Sequence, residues 1–295
     1  MPLDAAAPAL LTNQALHAAL FLFLCLVILL FAKKRGFFVL EQSAPVSLRL
    51  SLPNVGIALL CYLIPGVLFL VAGLFFNTTI FSMLSENTII AQSRAAFASA
   101  LLSVILLLTY YFCLDARLRE QIFGVKAFLQ HNFRRAFVIG MLSWFIIYPF
   151  VLFTDEILQM FNLMVFHMQE LPDQVVILIF RESLASSASY IPMIIAIVVI
   201  APIAEELFFR GFLHTFLRSR IGVKAALLVS ASLFAAIHFA PAQKLGNITL
   251  IGALFVLGWF LGFLFEKNKS LFAPIGLHMT FNALSLCNLV IFGDY

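Results

Sequence analysis

Long apolar runs separated by short polar stretches fill this chain from end to end. Eight of them approach the length of about 20 residues that a helix needs to cross a bilayer. They fall at residues 13–32, 55–76, 95–114, 136–153, 190–217, 225–240, 248–265 and 271–292. The pattern predicts an all-α membrane protein with about eight transmembrane helices. The first run is not expected to be a cleavable signal, because no Lys or Arg precedes it and Lys33-Lys34-Arg35 follows it directly.

Composition agrees. Of 295 residues, 63% are hydrophobic and 11% charged, and 34 are phenylalanine. A water-soluble domain is nearer half apolar and a quarter charged. A cytosolic globular enzyme, a disordered chain and a nucleic-acid-binding module are thereby excluded. The net charge of +4 is explained by position. With the N-terminus outside, fourteen of the 18 basic residues fall in inner segments. Three (Arg94, Arg181 and Lys244) fall in outer ones, and Arg210 is left within a span. That bias predicts that both termini are non-cytoplasmic. Cys25, Cys61, Cys113 and Cys287 lie in apolar runs with no C-x-x-C spacing, as buried hydrophobes would. Asn77-Thr78-Thr79 has the form of a glycosylation sequon on the outer side.

The first four helices are chemically quiet. His17, Trp144 and Tyr148 read as interfacial or packing residues, and Pro65 and Pro149 as kinks. Residues 154–189 form a longer outer connection with Asp155, Glu156, Glu170, Asp173 and Glu182. Ile157, Phe161, Met164, Val165 and Met168 recur there at helical spacing, which predicts an interfacial helix with His167 beside it. Val175 to Phe180 is too short to span. The inner loop from Asp115 to Arg135 mixes acids and bases and suits anionic headgroups. Gly258-x-x-x-Gly262 in the seventh helix predicts close helix packing.

The second half differs. Ionisable residues inside the hydrocarbon are costly, so each is a functional hypothesis. The fifth helix reads Ala-Pro202-Ile-Ala-Glu205-Glu206-Leu-Phe-Phe-Arg210-Gly211. Glu206 and Arg210, four apart, share a face and can pair. Glu205 is turned about 100° away and does not share that partner. Pro202 removes a backbone donor and predicts a kink. The sixth helix carries Phe234 and His238; the eighth carries His278 and Asn282, again four apart. With Arg218, Lys224 and Lys269 marking the inner surface, Glu205 lies about 20 Å deep, His238 about 21 Å and His278 about 14 Å at 1.5 Å per residue. The three helices are expected to meet at one intramembrane polar site.

A glutamate and a histidine can share the deprotonation of water. A second histidine with an asparagine amide can donate to an oxyanion. Together they suit amide hydrolysis by direct water attack, since no G-x-S-x-G nucleophile is present. His214, four residues beyond Arg210, reads as an interfacial histidine or an entrance residue.

The order E-E-x-x-x-R, F-x-x-x-H, H-x-x-x-N on late helices resembles the CAAX-protease and bacteriocin-processing (CPBP, or Abi) family of intramembrane proteases, which includes the Ras-converting endoprotease. The matching positions are Glu205, Glu206, Arg210, Phe234, His238, His278 and Asn282, and the resemblance covers about 185–292. It implies a helical fold with a conical cavity. It also implies that Glu205 and His238 activate water, that His278 and Asn282 form the oxyanion hole, and that Glu206, Arg210 and Phe234 shape the site. Residues 1–185 are expected to be N-terminal membrane helices and connections, and 186–295 the catalytic core.

No cofactor is expected; the alternative is a zinc or other divalent ion on Glu205, His238 and His278. Expected partners are membrane lipid and a peptide or protein substrate with a membrane-associated segment, and no nucleic acid. The expected location is a bacterial cytoplasmic membrane. Two further functions are compatible with a polar site in lipid: a non-enzymatic immunity factor or scaffold, and a proton-coupled transporter. The intact motif set argues against the first. The second is disfavoured because the two halves show no repeat.

Overall fold

A computed structural model describes residues 6–40, 49–76, 88–124, 133–167, 175–184 and 186–292. Among them the structure is helical, with no strand. The Asn77–Thr79 triplet, Lys126, Met168, Glu170 and Asp173 lie outside the described residues. The helices are α1 (Ala6–Lys34), α2 (Leu52–Phe76), α3 (Thr88–Cys113), α4 (Ala116–Phe123), α5 (Phe133–Phe166) and α6 (Val175–Ser183). Then follow α7 (Ser187–Ile195), α8 (Ala201–Glu206), α9 (Thr215–Ala236), α10 (Gly246–Asn268) and α11 (Phe272–Phe292).

Seven described helices are long and apolar enough to cross a membrane, and the chain is an integral multi-pass membrane protein. One of the seven, Ser187–Ala236, has 50 residues, too many for a single crossing. It breaks at Gly222, whose φ of 80° suits a residue without Cβ. The break falls between the predicted helices 190–217 and 225–240, so seven and eight describe the same chain.

The stretch from 154 to 166 is not a separate interfacial helix. It continues α5 through Pro149 to Phe166. The reason is that its polar residues find partners. Glu156 lies 3.3 Å from His17 of α1, and Gln159 bonds Asp155 at 2.7 Å and meets Gln14 at 3.4 Å. With those groups satisfied, nothing forces the helix to end.

Two close approaches set the position of α11. A Cβ on Gly140 of α5 would overlap the Ala273 carbonyl oxygen, and one on Gly276 would overlap the Phe137 carbonyl oxygen. The helices therefore touch backbone to backbone, as small residues allow in lipid. Gly258 and Gly262 likewise bring α10 onto Ala231, Phe234 and Leu227 of α9, as the Gly-x-x-x-Gly spacing predicts. The loop segment α4 also does more than meet headgroups. It buries Leu118 and Ile122, and Ile122 packs on Gly211.

Candidate active site

The site is built on an unusual helix. Between α7 and α8, residues Ala196–Ile200 form a π-helical turn, and between α8 and α9, Leu207–His214 form another. Such wide turns are rare and concentrate at functional sites. The first one has a local cause. The Ala201 N–H bonds back five residues to the Ala196 carbonyl. Pro202 has no N–H. The Ile197 carbonyl thus loses both its fourth- and its fifth-residue donors. Asn282 Nδ2 of α11 supplies the missing bond at 2.9 Å. The widened turn accommodates Pro202, and the orphaned carbonyl holds Asn282.

α8 presents the two glutamates on different sides. Glu206 is fully buried, and its Oε1 accepts from Arg210 Nη1 at 2.8 Å and meets His278 Nδ1 at 2.8 Å. The Arg210 Nη2 donates to the Gly258 carbonyl at 2.8 Å, and its guanidinium sits 4.5 Å over the Phe234 ring. A buried ion pair is tolerable only when its remaining donors and acceptors are also met. Most are met here; among the described residues Glu206 Oε2 and Arg210 Nε have no hydrogen-bond partner. Glu205, with 14% of its side chain exposed, has its Oε2 3.7 Å from His278 Nε2. That is too long for a direct hydrogen bond.

The histidines are oriented by their second nitrogens. Nδ1 of His238 lies 2.8 Å from the Phe234 carbonyl, which can only accept, so Nδ1 carries the hydrogen and Nε2 the lone pair. The carboxylate of Glu206, paired with Arg210, likewise accepts from His278 Nδ1–H, and turns Nε2 toward Glu205. Phe234 is the shared wall. Its ring is 5.1 Å from that of His238 and 5.8 Å from that of His278. Glu205, Glu206, Arg210 and His278 thus meet directly, His238 joins them across Phe234, and Asn282 is anchored to Ile197.

Among the described residues, no group of three or more His, Cys, Asp or Glu side chains stands so as to hold a metal ion.

Residues 187–284 match the family model described as type II CAAX prenyl endopeptidase Rce1-like. The matched segment holds all seven motif residues, from Glu205 to Asn282. It also resembles the uncharacterized protein YpbD of Bacillus subtilis (strain 168), at 33% identity over 99 residues. The alignment covers 34% of this chain and 47% of YpbD, so the chain spans about half the length of this curated relative. No solved structure matches.

Two features beside these motifs escaped the sequence pattern. Tyr62 of α2 stacks on Phe208 at 5.3 Å with planes 3° apart, within electrostatic reach of Glu205 and Glu206. Nothing in its apolar surroundings marks it. The second is Glu266, one residue beyond the seventh apolar run and 2% exposed. It takes His214 Nε2 at 2.9 Å, Lys269 Nζ at 2.8 Å and Arg218 Nη1 at 3.2 Å, while His214 Nδ1 faces Ser230 at 3.3 Å. His214 is fully buried, at the level of the inner-surface residues Arg218 and Lys269, so it does not line an open entrance. This cluster ties the turn after α10 to the end of the π-helical segment that carries Arg210. Its acid is a buried charge beyond Glu206 and Arg210.

Proposed function

We propose that the protein is an intramembrane endopeptidase that hydrolyses a peptide bond in a membrane-associated peptide or protein segment. The observation that carries this reading is the fixed pair of nitrogens on His278. One is held by the Glu206–Arg210 pair, and the other is aimed at Glu205.

A water between Glu205 and His238 gives up a proton, with the His238 Nε2 lone pair and the Glu205 carboxylate as bases. The hydroxide attacks the scissile carbonyl carbon, and the oxygen becomes an oxyanion. The His278 ring, carrying hydrogens on both nitrogens, donates from Nε2. Asn282 donates its second amide hydrogen, the first being bound to Ile197. Collapse breaks the C–N bond, and the proton taken from water passes to the leaving amine. The bias of basic residues toward the inner segments supports a bundle whose two termini are both non-cytoplasmic.

The test compares peptides from membranes carrying wild-type protein with those carrying Glu205→Ala, followed by cleavage of the differing peptides with purified protein. Peptides that accumulate only with the variant, and are cut only by wild type, support the reading. Equal cleavage by wild type, Glu205→Ala and His238→Ala ends it.

A further inference from the structure

Next to the site lies a second feature that the chemistry does not use. A cavity of about 590 Å³ opens between α3, α5, α8 and α11. Its inner wall is Ile203 and Leu207, from the helix that carries Glu205 and Glu206, and Ile275, one turn before His278. Apart from Arg134 at the mouth, its lining side chains are apolar. Water would find no hydrogen-bond partner there, and an empty space would forfeit the dispersion contacts of every side chain around it. A hydrocarbon chain from the bilayer loses nothing by entering.

The mouth has a different character. Phe272 stands between Phe133 and Phe123, with ring centroids 5.6 and 6.1 Å away. Phe133 opens α5 directly before Arg134 and Arg135, and such basic residues place this rim near the inner membrane surface. Arg134 is exposed and lays its stem along this rim, with its guanidinium 5.7 Å from the Phe133 ring. Long basic side chains place stem and charge in this way at membrane surfaces. Among the described residues Arg134 makes no ion pair, and Arg135 adds a second exposed charge beside it.

From this apolar interior, aromatic collar and free cation, we propose that the cavity holds one acyl chain of an anionic phospholipid, with the phosphate paired to Arg134. Basic pockets between membrane helices recognise anionic headgroups through the same chemistry. The walls belong to the helices of Glu205 and His278, so the lipid supports the site from behind. The proposal stands independently of the peptidase reading.

The experiment places the full chain in nanodiscs containing phosphatidylglycerol or phosphatidylcholine that carries a photoreactive group in one acyl chain. Crosslinks are mapped by mass spectrometry. Phosphatidylglycerol is expected to label the segments around Ile203, Leu207 and Ile275 about fivefold more than phosphatidylcholine, the ratio one basic contact with an anionic surface provides. Arg134→Ala should bring the two lipids level, and Val138→Trp at the mouth should lower both. Both positions are exposed, so neither change removes a buried contact. Added phosphatidylglycerol should also raise the unfolding temperature of wild type in detergent more than that of Arg134→Ala. Label confined to lipid-facing residues such as Phe145 overturns the proposal. So does equal labelling by both lipids with no effect of Arg134→Ala, or an equal rise in unfolding temperature.

Discussion

The outer helices α1–α3 and the later segments around the site are drawn from the same apolar alphabet but are packed differently. In the spans of α1, α2 and α3, 17, 17 and 11% of residues are buried; in Ser187–Ala236 and α10 the shares are 39 and 50%. The early helices present most of their surface to lipid, so their side chains need only be greasy. The later ones bury Glu206, Arg210, His214, Glu266 and His278 against one another. Burial is what makes a polar group costly and therefore informative. Where lipid is the neighbour, a sequence can drift among Leu, Phe and Val with little consequence. Where a carboxylate is the neighbour, it cannot.

The largest expected effect lies in that contrast. Glu205→Gln and His238→Ala should each lower peptide cleavage by about 10³-fold, the scale of a lost general base. Glu156→Gln, also an acid on a membrane helix, should leave the rate unchanged, because its partner is His17, 58% exposed at the edge of the bundle. A loss of similar size for Glu156→Gln would break the contrast.

Stability should divide the same way. Arg210→Ala strands Glu206 in a fully buried position and should cost about 3–5 kcal/mol, read by denaturant unfolding. Removing both partners together should cost less than the sum of the two single changes. Gly276→Ala should cost about 1–3 kcal/mol by overpacking. It should also lower cleavage, since its new methyl meets the Phe137 backbone two residues before His278.

Much of this was legible in the residues alone. The Glu206–Arg210 pair followed from a four-residue spacing, because a helix brings such residues together whatever surrounds it. Convergence of three helices followed from depth, which only needs the rise per residue. The shared use of Glu206 by Arg210 and His278 was not legible, since it depends on a contact between residues 72 apart. Glu266 was missed because a hydropathy run ends where a charge appears, even when that charge turns inward. The interfacial helix expected after residue 153 failed for a related reason. Its polar residues looked like an exit from the membrane, but α1 supplies partners for them.

Asn282 offers a sharper test of what the π turn does. If the Ile197 carbonyl is orphaned by Pro202, Asn282→Ala leaves a buried acceptor unmet and should cost about 1–3 kcal/mol. Pro202→Ala restores a backbone N–H that can serve this turn. In the Pro202→Ala background, Asn282→Ala should therefore cost markedly less, while cleavage stays low because the oxyanion donor is still absent. Additive stability losses would mean that the proline and the asparagine are unrelated.

The smallest effect falls at a place where the outer helices reach the site. Tyr62→Phe keeps the ring stacked on Phe208 and removes only the hydroxyl. Stability should therefore change by less than about 0.5 kcal/mol, as for a substitution that leaves packing intact. Cleavage should fall about fivefold, the scale of one hydrogen bond in a site that feels both glutamates. Tyr62→Ala should add about 1 kcal/mol of lost stability, because the stacking goes as well. The two variants separate packing from chemistry at a single residue. A full rate with Tyr62→Phe would leave α2 as scaffold and make the division between the two regions absolute. The fivefold loss would mean that a helix read as quiet lends the site one polar group, placed there by the aromatic ring beneath it.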